Sequence, residues 1–374
     1  PGGIWGWRLR GRRGRQVCSM GESVGPVDRP ANAGSPAFAY NPALDGLRGL
    51  AICLVLLFHA RVPAFSAGYL GVDVFFVLSG YLITTLLLAE IDRTGTVDWR
   101  RFVLRRFLRL APALVAMCLA VYLLSFWYWP EKTNPAVEVL LTLAYLTDLS
   151  VALWRTPQIL GHSWSLSVEQ HFYILWPLVL LYLCRSRGAR TVPWLTALYV
   201  LSTAWRLELL QSGTSWWQVY FRVDARLSGL MLGALLACMI AVLPNGIWRR
   251  MPAWVVLVPV AGAMFFIGDW GDSRMLLFGI PLVEIATASV ILACISRKGL
   301  VFRALSANPL VWLGKLSYGL YLWHHPIFRF LEDQMDWPLA LAIGLPSSIA
   351  CAWLSYMTVE RWGLQMRARI TKQG

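Results

Sequence analysis

Long apolar segments recur along almost the whole chain, and they constrain its fold more than any other feature. A transmembrane helix needs about 20 such residues, because the hydrocarbon core is about 30 Å thick. Only 14% of the residues are charged, whereas a soluble domain has about a quarter. The sequence therefore predicts an all-α, polytopic transmembrane helical bundle. The candidate spans are 44–63, 69–89, 107–127, 136–152, 168–184, 192–208, 225–243, 253–268, 275–295, 309–330 and 338–359.

The charges of the connecting loops predict which candidates cross the membrane, since Lys and Arg are enriched in cytoplasmic loops. The link RRFVLRRFLR before the third candidate is strongly basic and is placed inside. A full crossing by 136–152 would put the basic loop CRSRGAR outside. If 136–152 is instead a short re-entrant or interfacial helix, the later basic loops all stay inside. The pattern predicts about ten full spans, one partial segment and both termini in the cytosol.

The two ends of the chain differ from the predicted transmembrane domain at 41–362. Residues 1–40 are rich in Arg, Gly, Pro and Ser and do not begin with Met, so we expect a disordered or non-native segment. Met20 is the expected natural start. Residues 363–374 predict a basic cytosolic tail. The net charge of +14 comes largely from arginines between spans, so we expect no nucleic-acid partner.

Ionisable side chains inside a span are costly and mark functional sites. The first span carries Asp45, Arg48 and His59. Arg48 and His59 are eleven positions apart, which is about three helical turns, so they share a face at a separation of roughly 16 Å. Alternatively, Arg48 reaches the headgroups and His59 is an interfacial residue. Asp73, near the start of the second span, could favour the helix N-terminus or face His59 and orient its imidazole.

Two further polar clusters adjoin later spans. Arg105, Arg106 and Arg109 lie on one side of the third span, and their guanidinium groups suit a ligand with several phosphates. The string HSWSLSVEQHFY predicts an active-site rim on the outer side, although Glu169 could simply open its helix. Its candidate site residues are His162, Trp164, Ser165, Glu169 and Tyr173. Adjacent histidines in LWHHP diverge by about 100° on a helix, so we expect no metal site.

Five motifs in chain order resemble those of the acyltransferase family 3 membrane proteins. They are the arginine followed after ten residues by His59, then GVDVFFVLSGYLI, RRFLRLAPAL, WSLSVEQHFYILWP and LGKLSYGLYLWHHP. The resemblance covers residues 40 to 360 and implies a ten-helix core that transfers acyl groups from acyl-CoA. The implied acceptors are hydroxyls of sugars, glycans or macrolide antibiotics. His59 matches the catalytic candidate, Arg48 the motif arginine and Glu169 the motif glutamate, while Arg105, Arg106 and Arg109 would hold the CoA phosphates.

These residues suggest a mechanism in which His59 is a general base on the acceptor hydroxyl. Glu169, Arg48 and Asp73 complete the expected catalytic set, and Arg48, Trp164 or Ser165 could stabilise the oxyanion. A covalent acyl-histidine or acyl-serine intermediate is the alternative. The expected substrate-binding residues are Trp164, Ser165, Asp45, Tyr173 and His162.

The expected partners are acyl-CoA, with acetyl-CoA as the donor, a sugar- or hydroxyl-bearing acceptor and membrane lipid. The expected location is the bacterial cytoplasmic membrane. A transporter or flippase of an acylated or anionic substrate is the competing interpretation, because intramembrane ionisable residues also mark transport paths.

Overall fold

The computed structural model describes residues 40–128, 134–186, 190–242, 257–258, 261 and 270–372. These residues are predominantly helical and include no β-strand, which confirms the all-α prediction. The hypothesis about Met20 and most of the candidate span at 253–268 lie outside the described residues.

Fifteen α-helices are numbered here in chain order among the described residues. They are α1 Pro42–His59, α2 Gly71–Thr94, α3 Trp99–Tyr128, α4 Pro135–Leu143, α5 Thr147–Trp154, α6 Trp164–Ser186, α7 Thr191–Gln211, α8 Trp216–Phe221, α9 Val223–Arg226, α10 Ser228–Val242, α11 Ile280–Ile295, α12 Gly299–Leu305, α13 Asn308–Leu331, α14 Trp337–Ser355 and α15 Arg361–Lys372. π-Helical turns at Met275–Gly279 and Tyr356–Glu360 extend α11 and link α14 to α15.

Six helical segments in the described part of the chain are long and apolar enough to cross a membrane, and the protein is a multi-pass membrane protein. They are Pro42–His59, Gly68–Thr94, Trp99–Tyr128, Gly161–Ser186, Met275–Ile295 and Trp337–Met366. Helix α10 is apolar but has only 15 residues. Helices α7 and α13 have 21 and 24 residues but are not among the six. The count of about ten spans stays a prediction.

The segment at 136–152 is two short helices, so the prediction of one short helix there is wrong. Helix α4 has nine residues and α5 has eight, and a break at residues 144–146 separates them. Tyr145 adopts a φ of 55° in that break. At about 1.5 Å per residue, neither helix approaches the thickness of a bilayer core. The buried Glu138 carboxylate accepts N–H groups of Gln158, Ile159 and Leu160, which ties α4 to the chain entering α6.

Helices α1 and α13 approach each other backbone to backbone. Gly49 of α1 faces the carbonyl of Leu310, and Gly314 of α13 faces the carbonyl of Asp45, so a Cβ at either glycine would collide with main chain. Helix α1 also packs on α2. Small residues permit such close contact between membrane helices. The contact places polar residues of α1 directly beside those of α13.

Candidate active site

A cavity of about 390 Å³ opens between the helices that carry the motifs. Its walls come from α1, α2, α3, α6 and α13. Its polar and charged lining residues are Tyr40, Asn41, Asp45, Arg48, Ser79, Tyr81, Thr85, Arg106, Arg109, Ser165, Glu169, Tyr173, Arg297, Ser317, Tyr318 and Tyr321. The structure thus brings together Arg48, Glu169, Ser165, Tyr173 and Asp45 from the residues expected in the site.

Two hydrogen-bonded groups in the cavity wall each join two helices. Arg48 donates from Nε and Nη2 to the hydroxyl of Ser317, at 3.2 and 3.0 Å. Ser79 donates to the Glu169 carboxylate and accepts from the Tyr173 hydroxyl, which lies 3.3 Å away. Arg48 is therefore held in the cavity wall, and the alternative in which it reaches the headgroups does not describe this geometry.

Part of the cavity lining is cationic and is called here the cationic end: Arg106, Arg109 and Arg297. Arg106 lies over the ring of Tyr173, with its guanidinium carbon 5.7 Å from the ring centre. Arg109 and Arg297 also line this end, and Arg297 donates to the carbonyl of Tyr40 at 3.0 Å. Arg105 is not a lining residue; it lies 3.9 Å from Glu90. Two of the three expected phosphate-binding arginines therefore face the cavity.

Tyr40 and Asp45 border this cationic end. The Tyr40 hydroxyl donates to the Asp45 carboxylate at 2.8 Å. Partial burial and this hydrogen bond raise the pKa of Tyr40 to about 12, so the phenol stays protonated at neutral pH. Asp45 therefore accepts a hydrogen bond from a neutral phenol where it lines the cavity, and its contact with a substrate stays a prediction.

Ser165 and Tyr321 line the cavity where it approaches His162 and His324. Their hydroxyls are 2.7 Å apart, and the Tyr321 hydroxyl donates to the carbonyl of His162 at 2.8 Å. The ring centre of Tyr321 lies 5.5 Å from those of His162 and His324. Tyr321 therefore contacts the cavity and the histidines at once.

Four of the five histidines form a cluster, called here the histidine cluster: His59, His162, His324 and His325. The ring of His59 is 4.8 Å from His324 and 5.1 Å from His325, and His162 stacks on His325 at 4.6 Å. The Nδ1 atoms of His59, His324 and His325 bond to backbone carbonyls. Among the described residues, no three or more His, Cys, Asp or Glu are arranged to hold a metal ion.

Asp73 lies apart from the histidine cluster, so the expectation that it faces His59 is wrong. Its carboxylate accepts two hydrogen bonds from Nη2 of Arg226, at 2.9 and 3.1 Å, and both residues are fully buried. Asp73 is in the first turn of α2, as the helix-terminus alternative requires. Trp164 packs on the same Arg226, 5.3 Å from its guanidinium carbon, and neither Asp73 nor Trp164 lines the cavity.

Sequence patterns missed several residues of this region. Tyr321 lies on α13 one helical turn after Ser317, inside a motif that carries the family resemblance, but it has no charge that marks it as a site residue. Arg297 stands in a basic loop that was explained by membrane orientation alone. His325 was set aside with its neighbour because their directions diverge. The structure shows that α1 lies between those two directions.

Comparison with known proteins decides the family. The model of an acyltransferase domain matches residues 41–357, which is most of the chain. The chain belongs to the acyltransferase 3 family. The matched residues include the cavity wall on α1, α2, α3, α6 and α13.

Curated relatives of this acyltransferase 3 chain are O-acetyltransferases. It is 32% identical over 312 residues to O-acetyltransferase OatA of Staphylococcus aureus, covering 79% of the chain and 51% of the relative. It is 31% identical over 315 residues to peptidoglycan O-acetyltransferase OatA of Listeria monocytogenes, with the same coverages. The chain thus spans about half the length of these relatives. No solved structure matches it significantly.

Proposed function

We propose that the chain is a membrane O-acyltransferase that transfers an acetyl group from acetyl-CoA to a hydroxyl of a glycan. The family and the O-acetyltransferase relatives support acyl transfer. The relative named a peptidoglycan O-acetyltransferase supports a glycan acceptor. The observation that carries the proposal is a cavity with a cationic end, separated from the histidine cluster by Tyr321.

The cationic end of the cavity is the proposed site for the CoA phosphates. Guanidinium groups pair with phosphate oxygens through two parallel hydrogen bonds, so Arg106 and Arg109 suit this ligand. Arg297 adds a third cation at the same end. The pantetheine arm would run past Arg48 and Glu169 toward Tyr321. The thioester would then lie next to the histidine cluster.

His59 is the proposed general base. Its Nδ1 lies 2.9 Å from the carbonyl of Val55, which can only accept, so Nδ1 carries the proton of the neutral ring. Nε2 then has a free lone pair. It takes the proton of the acceptor hydroxyl while that oxygen bonds to the thioester carbon. The C–S bond breaks, the thiolate receives the proton, and the products are an ester and free CoA.

Ser165 and Arg48 are the proposed groups that position the donor. Ser165 lines the cavity and donates its proton to the Tyr321 hydroxyl, whose own proton goes to the carbonyl of His162. In the proposed step the Ser165 proton turns from Tyr321 to the oxyanion of the tetrahedral intermediate. Glu169 accepts a hydrogen bond from Ser79, which accepts one from Tyr173, and Arg106 lies over the ring of this Tyr173. In this geometry Glu169 acts on the donor channel, not on His59.

Replacement of His59 by Gln tests the function. Purified protein in proteoliposomes receives radiolabelled acetyl-CoA and an oligosaccharide of N-acetylglucosamine, and mass spectrometry follows the gain of an acetyl group. We expect His59→Gln to lose about 10²- to 10⁴-fold in rate. His171→Gln is the control, because His171 lies on the other side of α6, 3.6 Å from Asp148. Wild-type transfer by inserted His59→Gln protein contradicts the proposal, and movement of the sugar without acetylation favours a transporter.

A further inference from the structure

We propose that His324 is a second proton-carrying residue of the reaction, which receives a hydrogen bond from His59 once His59 has taken up the acceptor's proton. This inference rests on the proposed role of His59 as the base. It assigns a task to a histidine on α13 that the mechanism above leaves unused.

The first observation is the distance between the two rings. Two imidazoles joined by an N–H···N bond of about 2.9 Å have ring centres about 5 Å apart. The centres of His59 and His324 are 4.8 Å apart, and their planes meet at 72°. The close contact of α1 with α13 at Gly49 and Gly314 fixes the two side chains at this separation. The bond requires the two Nε2 atoms to face each other across this ring contact.

The second observation is an unpaired nitrogen. His324 is fully buried, and its Nδ1 bonds to the carbonyl of Leu320 at 3.0 Å. Because a carbonyl only accepts, Nδ1 carries the proton, and Nε2 is an acceptor. This Nε2 has no hydrogen-bond partner among the described residues. Buried acceptors are rarely left unpaired, so the missing partner is expected to arrive during the reaction.

The other titratable groups around the pair leave this role to His324. His162 and His325 complete the histidine cluster, and Tyr321 packs against His324. Two cations, Arg61 and Arg329, pair with Glu332 at the end of α13. The rings in contact with His59 are those of His324, His325 and Phe58. In the described part of the chain, buried Nε2 atoms without a hydrogen-bond partner belong to His162 and His324, and of these two the His324 ring is the one 4.8 Å from that of His59.

The proton transfers balance without another reactant. The acceptor O–H bond breaks, its proton moves to Nε2 of His59, and the oxygen bonds to the acyl carbon. The acceptor oxygen, now bonded to the acyl carbon, is no longer a strong hydrogen-bond acceptor. The Nε2–H group of His59 therefore donates to Nε2 of His324. The shared proton returns through His59 to the CoA thiolate when the C–S bond breaks. Both histidines end the cycle neutral.

Asparagine and glutamine variants separate this role from a structural one. His324→Asn retains an N–H at the position of Nδ1 and loses the acceptor at Nε2. His324→Gln places an amide oxygen near Nε2 and can accept the hydrogen bond. We expect His324→Asn to lower kcat by tenfold or more with little change in KM for acetyl-CoA, and His324→Gln to restore part of the loss.

The pH profile gives a second measurement. If His324 stabilises the imidazolium of His59, its loss lowers the pKa of His59, and the acid limb of kcat/KM moves to lower pH. A tenfold weaker stabilisation corresponds to a shift of about one pH unit. His171→Asn is the control, because His171 lies beside Asp148 and outside the histidine cluster. We expect its acid limb to lie at the wild-type pH.

Wild-type kcat in His324→Asn overturns the inference. A loss with an unmoved acid limb and no recovery in His324→Gln also overturns it, because a structural role explains that result. Activity retained by His59→Gln refutes the proposed base itself, whatever His324 does. An inactive His59→Gln together with a normal His324→Asn refutes this inference alone. Size-exclusion chromatography in detergent confirms that each variant is folded.

Discussion

Arg48 directs two of its N–H groups at the single hydroxyl of Ser317, across the contact between α1 and α13. A hydroxyl accepts through its lone pairs and has one proton of its own, so Ser317 can still donate into the cavity. The two residues are 269 positions apart in sequence. The motif arginine is therefore an interhelical anchor as well as a cation beside the proposed donor.

The first prediction concerns this pair. Ser317→Ala removes the acceptor of both Arg48 hydrogen bonds, and such bonds to a charged group contribute about 1.5–3 kcal/mol. We expect at least a tenfold loss in kcat/KM for acetyl-CoA. Arg48→Lys should show a similar loss, because an ammonium cannot reproduce the planar pair of donors. Steady-state kinetics with both variants checks this, and unchanged values in Ser317→Ala would show that the anchor is dispensable.

The second prediction separates the three arginines of α3. Arg106→Ala and Arg109→Ala remove cations that line the cavity, so KM for acetyl-CoA should rise about tenfold or more in each. Arg105→Ala is the matched control, since Arg105 lies beside Glu90 and outside the cavity lining. Its KM should change little. An equal effect of all three substitutions would indicate a diffuse electrostatic contribution and not a defined phosphate site.

The third prediction follows from the corrected position of Asp73. Asp73→Asn leaves the buried guanidinium of Arg226 without its ion-pair partner, which typically costs about 3–5 kcal/mol of stability. We expect a clearly lower thermal unfolding midpoint in detergent. The acid limb of the pH profile of the folded fraction should not move, because Asp73 does not contact His59. If the acid limb of the pH profile moves while the unfolding midpoint is unchanged, Asp73 acts on His59 and not on Arg226.

The fourth prediction concerns Glu138, whose carboxylate accepts three backbone N–H groups at the entry to α6. In Glu138→Gln, one carboxylate oxygen becomes an NH₂ group, which faces backbone N–H groups and cannot accept from them. We expect the free energy of unfolding to fall by about 1–3 kcal/mol. Thermal unfolding should therefore begin at a lower temperature. The exposed Glu208→Gln is the control and should match the wild-type protein. Equal stability of both variants would mean that Glu138 does not hold this segment.

The fifth prediction is topological. Helices α4 and α5 are too short to cross, so the first turn of α4 and the residues after α5 should lie on the same, outer side. Single cysteines replace Ala136 and Gln158, both exposed, in a cysteine-free background. An impermeant maleimide added to intact cells should label both. Labelling of Ala136→Cys alone, with Gln158→Cys reacting only after permeabilisation, would make the segment a full crossing.

The sequence was most informative for features that depend on the residues of a single helix. The apolar run that ends near His59 became α1. The segment 136–152 forms two short helices, and its failure to cross the membrane stays a prediction. Predictions failed where the partner comes from elsewhere in the chain. Asp73 takes Arg226, and that choice depends on helix packing that periodicity does not encode.

The histidines show the same limit. Their spacing correctly indicates that His324 and His325 point apart, by about 100° on one helix. Spacing does not reveal that His59 lies between them, 4.8 and 5.1 Å from their rings. Only the position of α1 on α13 supplies that fact. Divergent side chains on one helix can thus meet a third residue on another.

The close backbone contact at Gly49 and Gly314 holds α1 and α13 in one register. Arg48 and His59 are separated on α1 by about 16 Å, and their partners Ser317 and His324 lie on α13 with the same order of succession. Under the proposed donor route, the distance from the CoA phosphates to the thioester carbon must fit the spacing of these residues along the two helices. A shift of one residue between the two helices, about 1.5 Å, would move Arg48 relative to Ser317 and His59 relative to His324, and so change the donor length that the protein accepts.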